Sequence, residues 1–127
     1  MIRQKILREI TTLSESDCFC IYNRVKSEFD YPLHYHEEFE LNFIKNGRGV
    51  KRVIGDHMDD ILDLELVLVG SNLPHTWRTH LCKNKIIEEV TIQFHKDLFS
   101  ENGLKKNQLN LIRILLEKSQ RGVLFSQ

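Results

Sequence analysis

The sequence predicts a mainly β domain, an antiparallel sandwich or barrel, followed by a C-terminal amphipathic helix. Roughly eight short segments rich in β-branched and aromatic residues follow one another at spacings of about 8–12 residues, which is typical of all-β folds. After His95 the pattern changes, because Leu109, Ile112 and Leu116 recur at the spacing of one helical face. We therefore expect a barrel over about 5–95 and a helical tail over about 97–121 in a single domain.

Composition excludes several classes of protein. The chain has 127 residues, with 18 Lys and Arg against 18 Asp and Glu, so its formal net charge is zero. Without a basic excess it is a poor candidate for binding nucleic acid or a lipid surface by itself. Its N-terminus lacks the apolar stretch of a signal peptide, and the apolar run 66–69 is too short to span a bilayer. We expect a cytoplasmic protein that does not contact membranes.

The individual elements follow from local patterns. Strands are predicted at 18–25, 35–45, 50–54, 66–69, 75–80 and 86–94, with a short strand or loop at 58–64 and either a strand or a helix within 3–13. Asn46-Gly47-Arg48-Gly49 is a hairpin signal between two of these strands. A helical turn at 97–100 should end at Asn102-Gly103, and the amphipathic helix is predicted over 104–119, with Gly122 as its stop signal.

The strand at 35–45 is preceded by His34 and contains His36 and Glu40 at even spacing. Side chains of an extended strand alternate between its two faces, so these three share a face if the strand is unbroken. The opposite face carries Tyr35, Phe39, Leu41 and Phe43 and is predicted to pack. One strand thus combines an apolar face with a cluster of side chains that metals prefer.

A further metal ligand must come from elsewhere in the chain. Of the other histidines, His57 lies in a predicted turn and His95 at a strand end, whereas His75 follows a buried strand and a loop fixed by Pro74. We therefore predict that His34, His36, Glu40 and His75 line a pocket and form a metal site suited to Zn, Ni, Mn or Fe(II). The alternative for the same four residues is a metal-free, hydrogen-bonded polar cluster.

Asn42 shares a face with Glu40, and Trp77 shares a face with His75, so both are predicted to bind a ligand. Gln93 is a third predicted ligand-binding residue, although it lies among β-formers and could point to either face. For Trp77 a place in the core is an equally good interpretation.

The three cysteines are Cys18, Cys20 and Cys82. An odd number without a signal peptide argues against a disulfide framework. Cys18 and Cys20 would share a strand face and could form a metal pair, but we favour small buried thiols in a β core.

The spacing of the histidines and of Glu40 resembles that of the sequence motifs of the cupin family. Its first motif, Gly-x5-His-x-His-x3,4-Glu-x6-Gly, is matched by His34, His36, Glu40 and Gly47, with Glu28 in place of the leading glycine. Its second motif, Gly-x5-Pro-x-Gly-x2-His-x3-Asn, retains only His75. The resemblance implies a jelly-roll barrel, also called a double-stranded β-helix.

The chain contains four longer runs that carry a second resemblance, at 29–41, 66–77, 91–95 and 115–125. They resemble the N-terminal sensor domain of AraC-type transcriptional regulators, and the likeness extends from about residue 17 to the end. It implies a domain that binds a small effector, sugar-like or another metabolite, and forms a homodimer. It also implies a DNA-binding helix-turn-helix domain downstream, and the apolar 123–125 suggests that the sequence continues. The alternative is a small metal-dependent cupin enzyme, a dioxygenase or an isomerase.

Overall fold

Two five-stranded sheets supply the core of the protein, in a computed structural model that describes residues 5–99 and 101–126. The strands are β1 Leu7–Arg8, β2 Phe19–Lys26, β3 His34–Tyr35, β4 Phe39–Lys45, β5 Lys51–Ile54, β6 His57–Asp60, β7 Leu64–Val69, β8 His75–Arg78, β9 Ile87–Phe94 and β10 Val123–Leu124. The first sheet has the order β1-β3-β8-β5-β6 and the second β10-β7-β4-β9-β2. All pairings are antiparallel except β1 with β3. The predicted mainly β domain is confirmed, and neither sheet closes on itself in the described residues.

The hairpin predicted at Asn46-Gly47 is wrong. β4 pairs with β7 and β9, whereas β5 pairs with β6 and β8, so the turn carries the chain from one sheet to the other. The physical reason is burial, because Ile44 and Val50 on either side of the turn are both fully inaccessible and enter one core. Asn46 still adopts the positive φ of 67° that the motif favours.

The face of β4 that points into the core is the face that carries polar side chains. Glu40, Asn42 and Ile44 point inward and are at most 5% exposed. Of the side chains predicted to pack on the other face, Phe39 is buried and stacks on Phe94, whereas Tyr35, Leu41 and Phe43 are only half-buried. The alternation was therefore correctly predicted, and the more deeply buried side is the one with the carboxylate and the amide.

The C-terminal helix is shorter than predicted. It comprises α1 at Glu101–Leu104 and α2 at Asn110–Lys118, with 3₁₀ turns at Asn107–Leu109 and Ser119–Arg121. The extended backbone of Lys106, with φ −66° and ψ 142°, separates α1 from α2, and Asn107 is a weak helix former. A hydrogen-bonded turn overlaps the one predicted at 97–100, since the N–H of Leu98 donates to the His95 carbonyl at 3.0 Å (Ser100 is outside the described residues). The prediction that Asn102-Gly103 breaks the helix is wrong, because α1 includes both residues. Gly122, with φ 80°, ends the last turn as predicted.

Two other sequence inferences can be compared with the described residues. No helix among them is long and apolar enough to cross a membrane. Cys82 is buried, Cys20 is half-buried and Cys18 is exposed, so the prediction of a buried Cys18 is wrong. Cys18 precedes the first residue of β2 and so lies outside the regular alternation of that strand.

Gly70 marks a close contact between the end of β7 and the C-terminal segment. Its N–H donates to the Ser119 carbonyl at 2.8 Å, and a Cβ on Gly70 would lie 2.4 Å from that same oxygen. Because the obstacle is backbone, Gly70→Ala should force the two segments apart and lower the free energy of unfolding by about 1–3 kcal/mol. Urea denaturation measures this loss, and an unchanged unfolding midpoint would contradict the described contact.

Candidate metal centre

Three imidazole rings converge between the sheets. His34 on β3 lies directly opposite His75 on β8, and their ring centroids are 4.2 Å apart. The ring of His36 lies 4.9 Å from that of His75. Each ring offers one nitrogen within 4.8 Å of those of the other two, and all three residues are buried. The described part of the chain thus contains a histidine triad that could hold a metal ion.

His36 lies at a break in the strand that was predicted to be continuous. β3 ends at Tyr35 in the first sheet and β4 begins at Phe39 in the second. The shared face of His34, His36 and Glu40 was therefore predicted on a wrong premise, although the three side chains do meet. Within the break, the His36 carbonyl accepts from the N–H of Asn72 at 2.8 Å, which fixes the backbone beside His75.

All three imidazoles are oriented in the same way, by a backbone carbonyl at Nδ1. The carbonyls belong to Pro32 at 2.9 Å from His34, Glu38 at 3.0 Å from His36, and Leu73 at 2.8 Å from His75. Since a carbonyl only accepts, each Nδ1 carries a hydrogen, and each Nε2 is left to face the cluster. This orientation is the one that histidines take when they bind metals through Nε2.

Nε2 of His75 is the atom that most directly indicates a missing ligand. It is fully buried and has no hydrogen-bond partner among the described residues. Its nearest charged neighbour is Glu40, whose Oε2 lies 3.6 Å away, beyond hydrogen-bond distance. A buried nitrogen without a partner costs free energy, and a cation at this point would satisfy it.

Glu40 supplies the negative charge of the cluster. Its Oε1 lies 3.2 Å from Nε2 of His36 and accepts from Nε2 of Gln93 at 3.1 Å. Burial acts to raise the pKa of Glu40, but the imidazoles of His36 and His75 outweigh it and hold this pKa well below its usual range. Because a carboxylate and an imidazole lone pair repel each other, a cation is needed between Glu40 and His36, either a proton on His36 or a metal ion.

The protonation of the two flanking histidines differs. Burial, followed by the neighbouring charge of His75, lowers the pKa of His34 to about 4, so this ring is neutral at pH 7. Burial also acts to lower the pKa of His36, but the hydrogen bond and the charge of Glu40 raise it further than burial lowers it. His34 is therefore ready to bind a metal, and a metal would have to displace any proton held on His36.

A cavity of about 360 Å³ adjoins the histidine cluster. His34, Glu40 and two of the three predicted ligand-binding residues, Trp77 and Gln93, line it. Trp77 also belongs to the core, where its Nε1 donates to Glu65 at 3.2 Å, so its predicted place in the core is confirmed and its role in ligand binding stays a prediction. Asn42 is not among the lining residues.

The amide of Asn42 is occupied within the protein. Its Nδ2 donates to Glu89 at 3.2 Å, and its Oδ1 accepts from Thr91 at 2.6 Å. Asn42 therefore positions the cavity wall, since Glu89 and Thr91 both line the cavity.

No match was found when the chain was compared with protein-family models, curated proteins and solved structures. What the site can do therefore follows from its own chemistry. Three imidazole nitrogens and a carboxylate oxygen are ligands that suit Zn, Ni, Mn or Fe(II), and such a set leaves positions open for a small molecule.

Several polar residues of the site were not predicted from the sequence. Glu9 approaches His34 from the N-terminal segment, and Glu38 lies buried beside His36, where its Oε2 accepts no hydrogen bond from the described residues. Glu89 is buried in the cavity wall. Its inward position could have been found from the alternation of Glu89, Thr91 and Gln93 along β9. For Glu9 the sequence offers no comparable signal.

Proposed function

We propose that the protein binds a divalent transition metal through His34, His36, His75 and Glu40, and a small molecule in the adjoining cavity. The observation that carries this proposal is the common orientation of the three imidazoles, each with its Nδ1 hydrogen on a backbone carbonyl. Nε2 of His75 adds support, because it is buried without a hydrogen-bond partner among the described residues and a bound cation would satisfy it. A bound metal would polarise an oxygen of the small molecule or hold it in place.

The wider role that we propose is that of the effector-sensing domain of an AraC-type regulator, with a cupin fold. The motif spacing from His34 to Gly47 and the mainly β architecture support it. In this role the effector would shift the balance between two arrangements of the domain or its homodimer, which requires different affinities for the two. Contacts with DNA would belong to a domain outside residues 1–127.

A metal-dependent cupin enzyme is the second candidate function. It is favoured by one observation, namely that the cavity adjoins two of the four proposed ligands, His34 and Glu40. A small molecule in the cavity could therefore reach the metal. The two candidates differ in outcome, because a sensor binds its small molecule unchanged whereas an enzyme converts it.

The metal proposal is tested by titration. Protein purified without a metal-affinity column and stripped with a chelator should bind one equivalent of Zn²⁺ or Co²⁺, measured by calorimetry and elemental analysis. His57→Ala should bind equally well, because His57 is exposed on β6, which β5 separates from the strand of His75 in the first sheet. Failure to bind any of Zn²⁺, Co²⁺, Ni²⁺, Mn²⁺ or Fe²⁺ would overturn the proposal.

The wider role has its own test. The reading frame downstream of Gln127 should encode a pair of helix-turn-helix motifs. A stop codon at that point would overturn the regulator and favour the enzyme, which should then convert a small molecule when loaded with metal.

A further inference from the structure

We propose that Glu9 is an additional, exchangeable ligand of the metal centre, supplied by the N-terminal segment and displaced when an oxygen-donor molecule enters the cavity. This inference rests on the proposed function, since it requires that the centre bind a metal. It adds a ligand to the four inferred from sequence, and it connects occupancy of the cavity with the position of the N-terminal segment.

Glu9 approaches Nε2 of one histidine of the cluster at the same distance as Glu40 approaches Nε2 of another. Oε2 of Glu9 lies 3.6 Å from Nε2 of His34, and Oε2 of Glu40 lies 3.6 Å from Nε2 of His75. Since the hydrogen of His34 is on Nδ1, facing the Pro32 carbonyl, Glu9 faces the lone pair of that ring. Neither carboxylate is hydrogen-bonded to the nitrogen that it approaches, and a metal ion bound by that nitrogen would attract both.

With Glu9 included, the charges of the five proposed ligands balance that of a divalent metal ion. Three neutral imidazoles with two carboxylates carry a charge of −2, which compensates a divalent cation. With Glu40 alone the ligands themselves would leave one positive charge on the ion, which the buried Glu38 beside His36 could offset only from outside the ligand set.

The N-terminal segment is held where Glu9 can serve this role. β1 runs parallel to β3, with Leu7 opposite His34 and Arg8 opposite Tyr35. The N–H of Glu9 donates to the Tyr35 carbonyl at 2.9 Å, and two residues later Thr11 donates its hydroxyl to Glu38 at 2.6 Å. These bonds place the Glu9 carboxylate beside the cluster.

The exposure of Glu9 and Glu40 indicates which of the two carboxylates an entering molecule would displace from the metal. The Glu9 side chain is 30% exposed and lines the cavity, whereas the Glu40 side chain is 6% exposed and bound by Gln93. Glu9 is therefore the accessible member of the set, and an entering anion would compete with it first.

The test compares Glu9→Gln with Glu37→Gln, whose carboxylate is 65% exposed and pairs only with Arg8 among the described residues. Glu9→Gln should weaken Co²⁺ binding by at least about 10-fold, and the visible spectrum of the bound ion should change because a ligand, and not only a supporting residue, is lost. Glu37→Gln should match the wild type in both. Circular dichroism of the metal-free variants checks that both are folded.

Oxalate is the probe for exchange. With Co²⁺-loaded wild-type protein, oxalate should change the visible spectrum and make the N-terminal segment more susceptible to limited proteolysis. Co²⁺-loaded Glu9→Gln should bind oxalate more tightly, because no carboxylate has to be displaced. Equal Co²⁺ affinities and spectra for Glu9→Gln and Glu37→Gln would overturn the role of Glu9 and leave the proposed function standing. A wild type that binds no metal would overturn both.

Discussion

His75→Ala is expected to lower the affinity for Zn²⁺ or Co²⁺ by more than about 100-fold, a larger loss than the 10–100-fold typical of residues that only support a ligand. The reason is that Nε2 of His75 lies among the other proposed ligands, 3.6 Å from Glu40, and has no other partner in the described residues. The measurement is calorimetric titration of the metal-free variant at pH 7.5.

The control is His57→Ala, which removes an exposed imidazole and should bind the metal with wild-type affinity. The affinity of the wild type should fall as the pH is lowered, because protons compete for Nε2 of His36 and for the other ligands. If His75→Ala bound the metal as tightly as His57→Ala, His75 would not be a ligand.

Glu65→Ala is expected to lower the free energy of unfolding by about 3–5 kcal/mol, because it leaves a buried charge without its partner. Arg52 donates to Oε1 of Glu65, and both side chains are at most 6% exposed. Trp77 donates to the other oxygen at 3.2 Å and would lose its acceptor as well. Urea unfolding followed by circular dichroism measures the change.

A matched control is Asp63→Ala, two residues earlier in the chain. Asp63 pairs with Arg48 at 3.1 Å, but both side chains are more than half exposed, at 56% and 63%. Exposed pairs contribute about 0–1 kcal/mol, so this variant should differ little from the wild type. Similar losses for Glu65→Ala and Asp63→Ala would show that burial does not decide the energy of these pairs.

Local patterns were sufficient to predict most strands and the proposed ligand set. β-branched and aromatic residues located β2, β5, β7 and β9 to within a few residues. The spacing of His34, His36 and Glu40 indicated a cluster, and the rigid loop at Pro74 led to His75. Each of these signals is local, although the cluster itself depends on the pairing of β3 with β8, and the structure brings all four side chains together.

Features that depend on pairing distant segments were predicted poorly. The Asn46-Gly47 sequence is compatible both with a hairpin and with a turn that crosses from one sheet to the other. Only the burial of Ile44 and Val50 in one core decides between the two. Glu9 reaches the cluster through pairing of β1 with β3, which no local pattern encodes. The helix was predicted to run without interruption over 104–119, but the backbone of Lys106 is extended. Apolar periodicity identifies the face of a helix more reliably than the residue at which the helix begins.

The break between β3 and β4 has a thermodynamic consequence. His34 and His75 belong to the first sheet, Glu40 belongs to the second, and His36 lies on the segment that joins them. An ion held by these residues would bridge the two halves of the core, and separating the halves would require releasing it. The free energy of binding such an ion would thus also be free energy of folding.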